Sequence, residues 1–150
     1  MSTLLVGSME QVAYSRLATV GPDTLLREVA KLLCGTQISL VIVCSPAGAM
    51  DGVITKTDVV QRIGDCMGGA CRTIAADVMT GDVTFCRAGD LLTDVLAVME
   101  NRCLVHIPLI DENSRPLGVV NARDALRSLV EEGQYEESLL RNYVMGVGYQ

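Results

Sequence analysis

Gly52-Val53-Ile54-Thr55-Lys56-Thr57-Asp58 and Gly118-Val119-Val120-Asn121-Ala122-Arg123-Asp124 are one motif written twice, 66 positions apart. Each copy closes an apolar run and opens a helical pattern, so a short polar side chain and an aspartate arrive at a strand-to-helix turn. At the same offset Leu25/Leu91, Leu26/Leu92 and Val29/Val95 are also identical, along with Gly52/Gly118, Val53/Val119 and Asp58/Asp124. Six identities alone stand little above chance. The case for a duplication rests on apolar character kept in register at Leu32/Val98, Leu33/Met99, Ile38/Leu104, Val41/Ile107, Val43/Leu109, Ile54/Val120 and Ile63/Leu129.

Working outward from the first copy, Pro22-Asp23-Thr24 predicts a helix start with Asp23 or Thr24 as cap. Leu25, Leu26, Val29, Leu32 and Leu33 supply its buried face, and Gly35 ends it. Ile38 to Cys44 is a β-branched, almost continuously apolar run, the pattern of a strand covered on both faces. Ser45-Pro46-Ala47-Gly48 turns the chain, Gly52 to Thr55 forms the next strand, and Thr57 to Ile63 returns as a helix. The second copy predicts a helix over Leu91 to Asn101, strands over Leu104 to Ile110 and Leu117 to Val120, and a helix from Arg123 that Glu131-Glu132-Gly133 interrupts. Leu139, Leu140, Tyr143 and Val144 then recur at helical spacing. The expected organisation is an N-terminal segment (1–18), a first repeat (19–65), a linker (66–80), a second repeat (81–130), and a C-terminal helix and tail (131–150).

Composition narrows the function. A 150-residue chain that is 49% hydrophobic can bury a sizeable core, whereas each repeat alone would be marginal. The net charge of −6 and an aromatic content of 3% argue against nucleic acid, which asks for clustered cations and stacking platforms. Leu32 to Met50 carries no charge, but Gly35, Gln37, Ser39, Ser45 and Pro46 interrupt it, so no membrane span is expected. The N-terminus lacks the basic-then-apolar layout of an export signal, which makes a reducing cytoplasmic setting the expectation. Cys34, Cys44, Cys86 and Cys103 stand among apolar positions and read as small hydrophobes of the core. Cys66 and Cys71 lie in a Gly-rich linker whose spacing suits neither a redox pair nor zinc in a chain with one histidine. No metal site and no catalytic constellation is expected. A mean hydropathy of +0.34 suggests more apolar surface than one module hides, and hence a homodimer.

Taken together, the pattern resembles the CBS domain family, the paired regulatory modules named after cystathionine β-synthase. Its most specific part is Gly-apolar-apolar-Ser/Thr-x-x-Asp, met fully by Gly52 to Asp58 and partly by Gly118 to Asp124. Val105 to Asp111 is similar to the family's strand that precedes the second half of the motif, and Asp77-Val78-Met79-Thr80 to its usual entry into the second repeat. The resemblance implies an α+β fold (α/β-type two-layer) of two β-α-β-β-α repeats packed about a pseudo-twofold axis. It implies clefts for an adenosine-containing regulatory ligand: AMP, ADP, ATP, NAD(H) or S-adenosylmethionine, with no obligatory cofactor. Asp58 and Asp124 would then accept from ribose hydroxyls, since a carboxylate takes two hydrogen bonds from a vicinal diol. Thr55 would donate to phosphate with Lys56 nearby, and Arg123 would compensate where Asn121 replaces the hydroxyl residue. Val20, Val41, Val53, Ile107 and Val119 would wall the adenine. An effector protein would read the result, and its identity is not written in the chain.

Simpler roles stand beside these. Thr55, Asp58 and Asp124 fall where a helix wants caps and acidic groups, and His106 in a strand beside Pro108 reads as a packed side chain. Asn121 favours a competing reading, a degenerate pair that serves as a dimerisation or docking platform.

Overall fold

The computed structural model describes residues 2–65 and 72–133; Cys66, Cys71 and the pattern around Leu139 to Val144 lie outside them. In the first repeat, β2 (Leu40–Cys44) pairs antiparallel with β3 (Met50–Thr55), and β1 (Thr19–Val20) runs parallel on its other side. In the second, β4 (His106–Ile110) pairs antiparallel with β5 (Pro116–Asn121). The registers agree residue for residue at the 66-position offset: Leu40↔Thr55 answers His106↔Asn121, and Val43↔Gly52 answers Leu109↔Gly118. Both ladders slip at equivalent points, Val43/Cys44 and Leu109/Ile110. Even the parallel pair Val20↔Val43 returns, as the single bridge Cys86↔Leu109. The two hairpin turns share a left-handed residue, Gly48 (φ 90°) in one and Ser114 (φ 62°) in the other. Asp111 Oδ1, accepting from the N–H groups of Asn113 and Arg115, holds the turn that carries the strained serine.

Helices cover one face of each sheet. They are α1 (Glu10–Ser15), reached through a 3-10 turn at Val6–Met9, α2 (Leu26–Leu33), α3 (Lys56–Asp65), the short α4 (Ala75–Val78), α5 (Leu92–Asn101) and α6 over 122–133. Helix α2 starts one or two residues later than expected and without a side-chain cap: Leu25 is its extended N-cap residue, and Thr24 Oγ1 instead accepts from the Gly21 N–H at 3.2 Å. Residues 131–133, expected to break the last helix, continue it. Among the cysteines, Cys86 is buried and Cys44 half-buried, but Cys34 and Cys103 are exposed. The first is the C-cap of α2 and the second takes a left-handed turn (φ 55°) after α5, so both leave their helices before reaching the core.

Three apolar clusters hold the molecule together. One lies on the helix side of the first sheet (Leu26, Val29, Leu33, Val41, Val43, Ile54, Val59), and its counterpart lies on the second (Leu92, Val95, Met99, Ile107, Leu109, Val120). The third (Leu40, Ile42, Val53, Val119, with Leu17 and Val83 against it) joins the repeats. The segments that precede the repeats are crossed: Val6, Met9 and Ala13 complete the core of the second repeat, whereas Ala75, Val78 and Met79 complete that of the first. Backbone bonds fix this exchange, Val6 N–H to Asp90 C=O at 2.9 Å and Ala75 N–H to Thr24 C=O at 2.8 Å. The crossing explains both motif glycines. A Cβ on Gly52 would meet Thr80 O at 2.8 Å, and one on Gly118 would meet the Ala13 carbonyl carbon at 2.6 Å. They are seats for the crossed segments.

Candidate functional site

Between the repeats lies a cleft of about 210 Å³, walled by Leu40, Val53, Thr55 and Asp58 from the first repeat and by Leu104, His106 and Pro108 from the second. Thr80, Asp82, Val83 and Thr84, in the irregular segment that follows α4, close its side. Thr55 and Asp58 are oriented by a reciprocal capping pair: Thr55 Oγ1 accepts from Asp58 N–H at 3.3 Å, and Asp58 Oδ2 accepts from Thr55 N–H at 2.9 Å. Capping and cleft-lining are thus the same geometry, because fixing the helix start also fixes the carboxylate at the mouth of the cleft. Arg102 Nη1 donates to Thr84 Oγ1 at 2.7 Å, which brings one guanidinium to the rim. Lys56, by contrast, is exposed and directed to the Gly35 carbonyl (3.5 Å). His106 sits half-buried, its pKa held below the ordinary value first by burial and then by Arg16, with Asp124 acting the other way and Lys56 lowering it further.

The second motif copy occupies the pseudo-equivalent place with different partners. Asn121 Oδ1 accepts from the N–H groups of Arg123 (2.8 Å) and Asp124 (3.3 Å), so the cap survives the loss of the hydroxyl. The Asp124 carboxylate turns away to Arg16, which grips it through Nε and, at 3.1 Å, through Nη2. Asp124 is only 4% exposed, against a half-buried Asp58. Arg16 Nη1 also donates to the Gln37 carbonyl (3.2 Å), and the hydrogen bond to Asp124 raises the pKa of its guanidinium although burial lowers it. Arg123 itself is exposed.

The expected apolar walls divide by strand face. Val53 lines the cleft and Val119 belongs to the cluster between the repeats. Val41 and Ile107 are fully buried on the opposite, helix-side face, and Val20 packs there too. Strands buried on both faces show no alternation in sequence, so the choice of face is not readable from them. Their neighbours Leu40 and Pro108 line the cleft instead. His106, Asp82, Thr80 and Thr84 were not anticipated as lining residues, nor was Arg16 as a partner of Asp124. A pseudo-twofold axis does carry that hint, since it completes each cleft with residues of the other repeat and aligns Arg16 with Asp82 at the 66-position offset.

Comparison with known proteins agrees with this architecture, and the model of the CBS domain matches twice, over residues 9–65 and 75–131. The chain belongs to the CBS domain family. As a tandem CBS pair it is 28% identical over 126 residues to an uncharacterized 17.7 kDa protein of Acidianus ambivalens, a match that takes in 82% of this chain and 73% of that one. It is 29% identical over 110 residues to the arabinose 5-phosphate isomerase KdsD of Salmonella typhimurium, and there the match spans 73% of this chain but 33% of the enzyme. Among solved structures, a CBS-domain containing protein from Agrobacterium tumefaciens superposes with a TM-score of 0.72 at 23% identity, covering 83% of this chain and 92% of that one. The CBS domain pair of protein MJ0100, in complex with 5'-methylthioadenosine and S-adenosyl-L-methionine, gives a TM-score of 0.72 at 19% identity over 87% and 99% of the two chains. CBSX2 in complex with AMP gives a TM-score of 0.72 at 16% identity over 87% and 98%. Such likenesses define the CBS-pair fold. Among the described residues no helix is long and apolar enough to cross a membrane, and no group of His, Cys, Asp and Glu has the arrangement of a metal site.

Proposed function

We propose that this CBS pair is a non-catalytic regulatory module that binds an adenosine-containing ligand in the cleft of Thr55 and Asp58. The observation that carries the reading is the pre-oriented Asp58 carboxylate. It is half-buried at the edge of an apolar cleft, and among the described residues its hydrogen bond is to the Thr55 N–H. A ribose diol fits that acceptor, adenine fits between Leu40, Val53 and Pro108, and Thr84 with Arg102 stands at the rim for a polar tail. The cleft of about 210 Å³ falls short of the roughly 300 Å³ at which pockets begin to enclose a drug-sized ligand, so part of the nucleotide would remain in solvent. That related folds are bound to AMP and to S-adenosyl-L-methionine supports the ligand class.

The same reading makes the protein a homodimer. Leu32, Val60 and Ile63 of the first repeat and Val98, Leu126 and Val130 of the second are exposed on helices, and two of these pairs, Leu32/Val98 and Val60/Leu126, are equivalent by the duplication. A duplicated apolar helix face suits a second copy, and ligand binding would then shift one repeat or subunit against the other for an effector protein to sense. The free thiols Cys34, Cys44, Cys86 and Cys103 are consistent with the reducing cytoplasm. At the second motif, the Arg16–Asp124 pair favours the platform reading over ligand binding.

A thermal-shift panel of AMP, ADP, ATP, NAD(H) and S-adenosylmethionine tests the proposal. A ligand at about 100 times its Kd adds roughly 2.7 kcal/mol, or about 5–10 °C in Tm for a chain of this size. Asp58→Ala should abolish that shift. No shift with any member of the panel, or a shift that survives Asp58→Ala, overturns the assignment.

A further inference from the structure

The segments that approach the two motif copies differ in charge at one position. Arg16 and Asp82 are equivalent by the duplication, and the residues that follow them, Leu17 and Val83, pack against the same central cluster. In the first cleft this position is an acid lying alongside Asp58. At the second motif it is a base that holds Asp124 with two guanidinium nitrogens and is itself tied to the Gln37 carbonyl, while Gln37 Nε2 donates to Ser15 Oγ at 3.0 Å. The carboxylate that would serve a ribose is therefore already paired through both oxygens from within the chain, and Asp124 is 4% exposed.

We infer that Arg16 is a specificity-determining residue that latches the second cleft shut, so that the pair takes one ligand per chain, at Asp58. The latch is an internal substitute for the ligand. A guanidinium donating two hydrogen bonds to a carboxylate occupies the acceptor as a vicinal diol would, with charge added, so an uncharged diol would have to replace a stronger pairing with a weaker one. Asp82 cannot play this part toward Asp58, because a carboxylate group accepts hydrogen bonds and has no N–H to donate. The inequality of the clefts thus comes from the approach segment more than from Asn121, whose capping bonds are intact.

The inference rests on the ligand reading above, and counting bound ligand separates the two. Equilibrium dialysis with AMP, ATP and S-adenosylmethionine should give one equivalent of the binding nucleotide per wild-type chain and none for Asp58→Ala. Arg16→Gln should give two, and Arg16→Gln combined with Asp58→Ala should give one, now dependent on Asp124. Because Arg16→Gln leaves a buried carboxylate without its partner, a transfer variant away from the core completes the test: Asp82→Arg, at an exposed position, should carry the latch to Asp58 and reduce one equivalent to none. One equivalent in the wild type that persists in both Arg16→Gln and Asp82→Arg removes the latch and leaves the ligand reading standing. A wild type that binds two equivalents also removes the latch alone. Binding by none of the proteins removes both.

Discussion

Gly118→Ala is the substitution that tests most directly what the motif glycines are for. The Cβ it adds would lie 2.6 Å from the Ala13 carbonyl carbon, 2.7 Å from its oxygen and 2.8 Å from its Cβ. Ordinary carbon contacts begin near 3.5 Å, so α1 must retreat by close to 1 Å, and Val6, Met9 and Ala13 would retreat with it from the second repeat's core. Two of the three opposing atoms are backbone, which no rotamer change relieves. Overpacking of this kind costs about 1–3 kcal/mol, and the unyielding backbone argues for the upper end. Against it stands a gain of about 0.4–1 kcal/mol from the stiffer unfolded chain, since Gly118 lies in a strand at an ordinary φ. The net is a loss of about 2 kcal/mol, or a Tm lowered by about 4–8 °C. Thermal and urea unfolding without ligand measure it. Gly52→Ala should cost less, because two of its three close atoms belong to the pliable Met79 side chain. Adding Ala13→Gly should recover little, since it removes only the farthest of the three contacts. A Gly118→Ala protein as stable as wild type, or one rescued by Ala13→Gly, would refute the seat argument.

His106, the chain's sole histidine, gives a clean pH window. Its pKa is depressed on folding, first by burial, so the unfolded chain binds the proton more readily. Stability should therefore decline as pH falls from the unfolded pKa near 6.5 and level off below the folded one; Tm profiles from roughly pH 7.5 to 5 should flatten in His106→Gln, and parallel profiles would count against it. On the duplicated helix face, Val60→Glu with Leu126→Glu should convert a dimer to a monomer in light scattering without loss of fold. A dimer mass unchanged by the substitutions would count against this face, and a monomeric wild type against the proposed dimer. Cys86, whose thiol is pushed up to about 12 by burial and then by Asp90, should resist alkylation in the native protein while exposed Cys34 and Cys103 react, a difference that peptide mapping resolves.

Much of the fold is legible because duplication writes each element twice: Val41-Ile42-Val43 and Ile107-Pro108-Leu109 announce buried strands, and Gly52 and Gly118 mark one place in each. The site is legible only in part. Thr55 and Asp58 are local in sequence, so a spacing of three reveals them. Asp124 is equally local, but the group that decides its fate, Arg16, is 108 residues away, and no periodicity links them. Val41 and Ile107, expected as adenine walls, lie on the helix-side face for a related reason, since a strand covered on both sides lacks the alternation that tells in from out. His106 joins the cleft only through the fold, which carries the second repeat's strand across to the first repeat's aspartate.

The crossed segments also determine how the chain can be divided. Severed between its repeats, it would yield two fragments that each carry the cover of the other: the first would hold Val6, Met9 and Ala13 for a core it lacks, and the second would hold Ala75, Val78 and Met79 for a core left behind. Neither fragment is a smaller version of the whole. The halves are obligate complements, which makes this molecule a natural split system whose reassembly, and whatever influences it, can be read as the recovery of a fold.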